Sequence, residues 1–401
     1  MPALLLAVAV VVTSPSNSMI VKFNHVCLLL IIFFQLSIAH AIVLPEDRAD
    51  VLYHSYDGGG ATISGPSILV RKKFNENISA TVNRYVDNVS SASIDVVTTA
   101  SPYTEERVEH SVNIDYLHEK TLMSVGLTKS DESDFDAKTF GFNISQDMFG
   151  DLTTVNVGYA QGDNEIRKNT DPSFLKLSNS RNYRVSVTQV ISKDLIMAFA
   201  LETITDEGFL NNPYRSVRYL DSGTGTGFNV QAEVYPNTRT SNAIALRARY
   251  FLQHRAALHG GYRYFSDSWG ITGNTFELGY TLPHKEDWVF EFTYRYHEQT
   301  SADFYSDLFP FGGTLNPAQN FLARDKELST FSDHTIGVGG SYEFITDGNN
   351  FIKRGSVSFH YDYIMFAYED FRDITVTATP GSEPNYEFNA GVIRFFLSVW
   401  F

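Results

Sequence analysis

The sequence predicts an all-β chain folded as an antiparallel transmembrane β-barrel of about sixteen strands, bounded between about fourteen and eighteen. Three observations carry this expectation. Residues 386–401 alternate apolar and mixed positions up to a terminal Phe401, segments of the same period-two kind recur along the whole chain, and the connections between them alternate short and long.

The closing segment is the most regular. Counting back by twos from Phe401, Val399, Leu397, Phe395, Ile393 and Gly391 form one unbroken apolar row, while Trp400, Ser398, Phe396, Arg394, Val392 and Ala390 form the other. Side chains alternate across a strand with period two, so one face is wholly apolar. In water such a terminal strand is an exposed edge and an aggregation hazard. In a bilayer its apolar face meets lipid and its edge meets the first strand. In this spacing the chain resembles bacterial outer-membrane β-barrel proteins, whose closing strands end in Phe with alternating hydrophobics that the barrel assembly machinery reads. The resemblance implies a place in the bacterial outer membrane, with its lipid and the assembly machinery as partners. It assigns the assembly signal to Ile393, Phe395, Leu397, Val399 and Phe401.

The beginning of the chain agrees. From Met19, a weakly basic stretch with Lys22 precedes the apolar run 26–38, and Ala39-His40-Ala41 has the A-x-A form of a signal-peptide cleavage site. The run is shorter than the about 20 residues a spanning helix needs. Residues 1–41 are therefore expected to be a signal-peptide region that starts in effect at Met19, and 42–401 to be one barrel domain. The single Cys27 lies in that region, so residues 42–401 contain no thiol. A disulfide scaffold, a thiolate metal site and a Cys nucleophile are excluded there.

Charge excludes another class. The net charge of −15 becomes −16 once Lys22, the one charged residue of 1–41, is removed. Nucleic acid is not expected as a partner, because phosphate neutralisation needs a basic face. A mean hydropathy of −0.16 excludes a helical membrane bundle, while 14% aromatic residues suit a barrel with aromatic girdles.

Taken in order, the strand segments are 49–57, 61–73, 77–88, 107–118, 121–130, 136–147, 152–162, 181–192, 194–205, 241–252, 256–267, 271–282, 287–299, 333–345, 354–367 and 386–401. Their lengths exceed those of ordinary globular strands and suit a tilted membrane crossing. Gly58-Gly59-Gly60 supplies the first turn. The segment 287–299 is the cleanest, with Trp288, Phe290, Phe292, Tyr294 and Tyr296 on one face and Val289, Glu291, Thr293, Arg295 and His297 on the other. Charges recur on the inner faces, as Glu109, Asp115, Glu202, Arg247, Arg249, Arg263, Glu277, Glu343 and Arg394. That is too much charge for the buried layer of a sandwich and suits a wet lumen.

Connection lengths sort by end. One end has 74–76, 119–120, 148–151, 193, 253–255, 283–286 and the Asp347-Gly348 turn; the other has every long loop, 89–106, 163–180, 206–240, 300–332 and 368–385. Short turns in the periplasm and long loops outside the cell are the barrel pattern. The first segment is the least regular, and 227–235 reads as a strand pair within the 206–240 loop.

A second resemblance covers the whole mature chain. Glu46-Asp-Arg-Ala-Asp-Val-Leu-Tyr-His54, Ser64-Gly-Pro-Ser-Ile-Leu-Val-Arg-Lys-Lys73, Ser90-Ser-Ala-Ser-Ile-Asp-Val-Val-Thr-Thr-Ala-Ser-Pro102, the 144–154 region around Asp147-Met-Phe-Gly150, Tyr235-Pro-Asn-Thr-Arg-Thr-Ser-Asn242 and Phe321-Leu-Ala-Arg-Asp-Lys-Glu-Leu-Ser-Thr330 carry it. With these the chain resembles an uncharacterised family of Gram-negative outer-membrane barrels, domain of unknown function 3570. The resemblance implies the barrel but no established activity, and no cofactor is expected. Through the flavin-transfer and thioredoxin-like periplasmic proteins associated with such relatives, it also points to a periplasmic partner in an electron-transfer assembly.

Several constellations are candidates for chemistry. Asp131-Glu-Ser-Asp-Phe-Asp136 offers hard oxygens for Ca²⁺ but lacks the EF-hand spacing and its Gly, so a solvated acidic loop tip is the expectation. The lumen-lining candidates are Arg247, Arg249, Arg263, Glu277, Glu291, Arg295, His297 and Arg394. They form either a basic ladder facing carboxylates, as in pores that orient solutes, or interstrand ion pairs that brace the wall. His297 and His334, with Asp303, Asp307 and Asp333, are the best acid–His cluster. There is no G-x-S-x-G elbow, and no catalytic residue is assigned. Residues 211–219, with Tyr and Arg, suit sugar or anion contacts, or a plug folded inward. The expected function is a porin-like channel or transport component. A non-conducting structural or docking component of the envelope is the alternative, and a barrel hydrolase comes third.

Overall fold

Alternate side chains that need opposite surroundings are served by a strand and not by a helix, and all sixteen period-two segments form strands. The computed structural model describes residues 43–91, 103–310, 321–345 and 351–401. Residues 1–41 and the Asp347-Gly348 turn lie outside the described residues. In chain order the strands are β1 (Arg48–Gly58), β2 (Ala61–Lys73), β3 (Ile78–Ser91), β4 (Tyr103–His118), β5 (Thr121–Asp131) and β6 (Phe135–Met148). There follow β7 (Thr153–Lys168), β8 (Asp171–Ser192), β9 (Leu195–Gly208), β10 (Ser216–Leu220), β11 (Phe228–Ala232) and β12 (Thr238–Phe251). The last are β13 (Ala257–Asp267), β14 (Thr272–His284), β15 (Trp288–Gln299), β16 (Phe331–Ile345), β17 (Arg354–Arg372) and β18 (Asn385–Trp400).

Among the described residues, β10 and β11 form a separate two-stranded sheet, and the other sixteen strands close into one antiparallel barrel in chain order. Closure joins β18 to β1 in a continuous register from Arg48 opposite Trp400 to Gly58 opposite Ala390. The terminal strand's free edge is thereby paired, which satisfies backbone groups that lipid cannot. Gly59 and Gly60 turn β1 into β2 with φ of 58° and 79°, a conformation other residues rarely adopt.

The two faces of the wall differ as the alternation requires. Every barrel strand exposes large apolar side chains, among them Val51, Ile68, Leu127, Leu201, Leu278 and Phe395. Together they form an apolar belt around the barrel, far larger than a water-soluble monomer exposes, and lipid is the solvent it fits. The opposite face carries Glu109, Asp115, Asp362 and Arg394, all buried within the barrel.

One long connection departs from expectation, and another holds its expected strand pair with wider bounds than 227–235. The 163–180 connection is not a loop: β7 and β8 continue past the wall as a hairpin and turn only at Asn169-Thr170. Phe135, Ala137 and Ile166, packed with Phe174 and Phe209, give the base of that hairpin an apolar core of its own. The 206–240 connection contains the β10–β11 hairpin, paired from Ser216 opposite Ala232 to Leu220 opposite Phe228.

Candidate functional site

The inner wall is the first part of the site. Arg247 and Arg249 on β12, Arg263 on β13, Glu277 on β14, Glu291, Arg295 and His297 on β15, and Arg394 on β18 occupy positions that alternate with the exposed Leu246, Tyr262, Leu278, Phe292 and Phe395. They therefore point to the barrel interior. Arg263 approaches Glu202 at 3.8 Å, and Glu202 also receives Arg184 at 2.8 Å. Arg295 pairs with Asp333 at 2.7 Å and Arg394 with the buried Asp362 at 2.6 Å. Glu291 lies 3.9 Å from the His360 ring, and His297 Nδ1 is 2.9 Å from Thr275 Oγ1. Arg249 stands opposite His259 in the β12–β13 register.

Glycines make room for the inward rings. A Cβ on Gly279 would lie 1.9 Å from His259 Nε2, and one on Gly339 would lie 2.2 Å from His360 Nδ1. Each bare backbone position lets a ring lie flat on the wall, which explains why glycine interrupts the inner face of β14 and β16.

A further inner-wall cluster went unnoticed in the sequence. His54 Nε2 meets Asp87 at 2.7 Å, Arg107 meets the same carboxylate at 3.1 Å, and the Tyr85 ring stacks on His54 with centroids 4.8 Å apart. Asp87 and Arg107 sit at the margins of their segments, and His54 is in the least regular one. Only their opposition across three strands reveals the cluster.

The second part of the site is the long-loop end, where the loops fold over the mouth. The β10–β11 hairpin with Val234 just after it and residues 300–310 and 321–330 pack together through the bridges Tyr219–Phe309, Val234–Leu322 and Tyr305–Ala323, and the 373–384 connection joins them through Glu383 on Arg218. Arg218, only 1% exposed, is bound by Asp307 and by Glu383 at 2.5 Å. Arg324 reaches Asp307 at 3.0 Å, and Arg372 does so at 3.6 Å. Arg215 pairs with Asp325. Glu233 accepts the Arg324 backbone N–H at 2.7 Å and the Tyr235 hydroxyl at 2.6 Å. The 3-10 turn Lys326–Leu328 dips into the mouth, its buried Lys326 Nζ 5.6 Å from the centre of the inward Phe388 ring. Tyr235, Trp269, Ile271, Ala302, Ala323 and Leu328 make an apolar knot beside the ions. The whole is a plug.

Electrostatics in the plug pull in two directions. Burial, helped by the nearby Asp325, pushes the Glu233 carboxyl up to about 7. Burial acts on Glu383 as well, but the hydrogen bond from Arg218 outweighs it and holds that carboxyl below its usual range.

Two sequence candidates are placed differently from expectation, and a third takes one of its two expected forms, the inward plug. The 131–136 tip is not solvated: Asp134 and Phe135 are buried, and carboxylate oxygens of Glu105, Glu132 and Asp134 lie within 4.8 Å of one another. Burial pushes Glu132 well up, while Ser133 donates its N–H to Glu105 at 3.1 Å. Three hard oxygens of this kind suit a cation such as Ca²⁺. The acid–His cluster does not assemble. His297 points inward, whereas His334 is exposed on the outer face and hydrogen-bonded to the Tyr294 hydroxyl at 2.8 Å. Asp333 and Asp307 are engaged by arginines. Residues 211–219 fold inward, with Asn212, Arg215, Val217 and Arg218 all buried in the plug.

The sequence matches, over residues 49–184 and 178–361, the family described as "Protein of unknown function (DUF3570)". No curated protein matches. Among solved structures, the siderophore receptor PirA from Pseudomonas aeruginosa is 11% identical, with 89% of this chain and 63% of that chain covered and a TM-score of 0.39. OmpT, an outer membrane protein of Vibrio cholerae, is 10% identical over 89% of this chain and 100% of that one, with a TM-score of 0.40. A bacterial polysaccharide outer membrane secretin is 7% identical over 89% and 99%, with a TM-score of 0.45. The chain spans less than two thirds of PirA and of CdiB from Acinetobacter baumannii, at 63% and 60% of their lengths.

Proposed function

This chain belongs to the DUF3570 family, and we propose that it is a porin-like channel or transport component of the bacterial outer membrane, gated by the loop plug. The observation that carries this reading is the buried network of Arg218, Asp307, Glu383 and Arg324 at the mouth. Buried ion pairs are weak devices for stability, since well-packed apolar groups of similar volume often do as well or better. Their use is in arrangements with two states, where charges re-pair when a segment moves. Below the plug the wall presents both signs of charge, a lining that orients charged solutes.

Conductance in planar bilayers tests the reading. The refolded chain 42–401 is expected to give small, intermittent steps, and Asp307→Ala with Glu383→Ala to give larger and longer ones. No conductance from either protein would remove the channel. The burial and pairing of the plug's charged side chains favour one second reading, a non-conducting docking component, for which recovery of a periplasmic partner from the outer-membrane fraction is the expected result. Location is tested by heat-modifiable migration and fractionation with the outer membrane; a soluble periplasmic species would overturn it.

A further inference from the structure

We propose that the outer face of β3–β6 holds the phosphate groups of lipid headgroups in the outer leaflet. The inference rests on the membrane-embedded barrel with its long loops outside, and not on conduction. Arg84, His110, Lys129 and Lys138 all face outward and are exposed. They are direct cross-strand neighbours in one row: Arg84 opposite His110, His110 opposite Lys129, and Lys129 opposite Lys138. One step toward the short turns stand the exposed Val82, Val112, Leu127 and Phe140. The row therefore lies on the lipid-facing surface, above the apolar belt on β5 and β6, with Arg84 the deepest and able to extend its guanidinium toward the headgroups.

Such a row is costly unless something pairs it. Like charges directly opposite each other on neighbouring strands repel, and the chain has enough carboxylates to avoid them, at a net charge of −15. Exposed charged positions near the loops on several other strands are acidic, as with Asp57, Asp163, Glu207, Glu369 and Glu387, beside uncharged Ser, Thr and Asn and the exposed Arg181 on β8. Within the row, Lys129 meets Asp131 at 2.6 Å. Among the described residues, Arg84, His110 and Lys138 make no ion pair, and Lys138 makes none even to Asp163, which stands opposite it. Two unpaired cations, Arg84 and Lys138, with the paired Lys129 and the imidazole of His110 between them, are continuous with a surface that only acyl chains solvate, and match a ligand with apolar tails and an anionic head. Lysine and arginine bind phosphate oxygens by charge-assisted hydrogen bonds, and basic clusters at a membrane boundary read as anionic-headgroup sites.

The test uses the refolded chain 42–401 in neutral detergent. Retention of phosphatidic acid is compared with that of phosphatidylcholine of the same chains by native mass spectrometry. The wild type is expected to retain phosphatidic acid about tenfold better, Lys129→Ala with Lys138→Ala to bring the ratio near one, and Lys129→Arg with Lys138→Arg to keep it. Inorganic phosphate at the same concentration should not displace the lipid, because the tails supply part of the affinity. Heat-modifiable migration reports folding of each variant, and Lys129→Gln with Lys138→Gln repeats the comparison if the alanine pair folds poorly. Equal retention by the wild type, a preference that survives neutralisation, or displacement by free phosphate would each overturn the proposal. A barrel that conducts without lipid preference refutes this inference alone, and one that retains lipid without conducting refutes only the channel.

Discussion

The wall and the plug of this molecule solve the same problem, buried polarity, by opposite means. In the wall the backbone is satisfied by strand neighbours in register, and the closing pair of β18 and β1 shows that the scheme has no edge left over. In the plug there are few strands, and side chains do the bonding: Arg218 takes the backbone carbonyl of Asp307 at 3.0 Å as well as two carboxylates. The wall is generic, so one residue can change without disturbing the scheme. The plug is specific, and three loops far apart in sequence depend on one aspartate.

The sharpest way to break the comparison is at that aspartate. Asp307→Ala leaves Arg218 and Arg324 buried without their shared partner, and breaking a buried pair in this way costs roughly 3–5 kcal/mol. That loss is expected in the plug and not in the barrel. Limited proteolysis within 209–237 should accelerate strongly while heat-modifiable migration stays. If migration is lost too, plug and wall are one cooperative unit.

Next in size is a test of the wall's two faces. Leu397 faces lipid and Ser398 the interior. A cation on the lipid face near the midplane costs about 2–4 kcal/mol and near an interface about 0–1. Leu397→Arg should therefore lower the urea midpoint and the folding yield into vesicles by more than Ser398→Arg. The reverse order would invert the facing of β18.

A smaller effect is expected from pH. Glu233 is pushed up to about 7 in the plug, from an ordinary 4.5. The folded plug then binds a proton that the unfolded loops release above the ordinary value. Its stabilisation is fully present below pH of about 4.5 and is lost as pH rises through about 7. Plug opening, read as conductance or as proteolysis of 209–237, should grow between these limits, and Glu233→Gln should flatten the dependence. A profile unchanged by that substitution would assign the titration to another group.

The smallest equilibrium effect is expected at the terminus. Phe401 stacks on Phe351 with centroids 5.5 Å apart and lies under Lys72 Nζ at 5.2 Å. Deleting it should slow assembly into membranes while leaving the urea midpoint nearly unchanged. A large midpoint shift would make it a structural residue and not an assembly signal.

The sequence by itself determined the barrel. Period-two alternation is a local property: Leu397 and Arg394 declare opposite surroundings whatever the rest of the chain does, and sixteen such declarations with sorted connection lengths leave one architecture. The inward direction of Arg247, Arg263, Glu277 and Arg295 is legible for the same reason. Only the tertiary structure decided what those charges meet. His54 and Arg107 share the carboxylate of Asp87 across the first four strands of the wall, while His297 and His334 face opposite ways. The plug is the extreme case. Arg218, Asp307 and Glu383 are separated by long stretches of chain, and no periodicity links loops. Their meeting depends on where barrel closure delivers the loop ends, and a one-dimensional pattern holds no information about that.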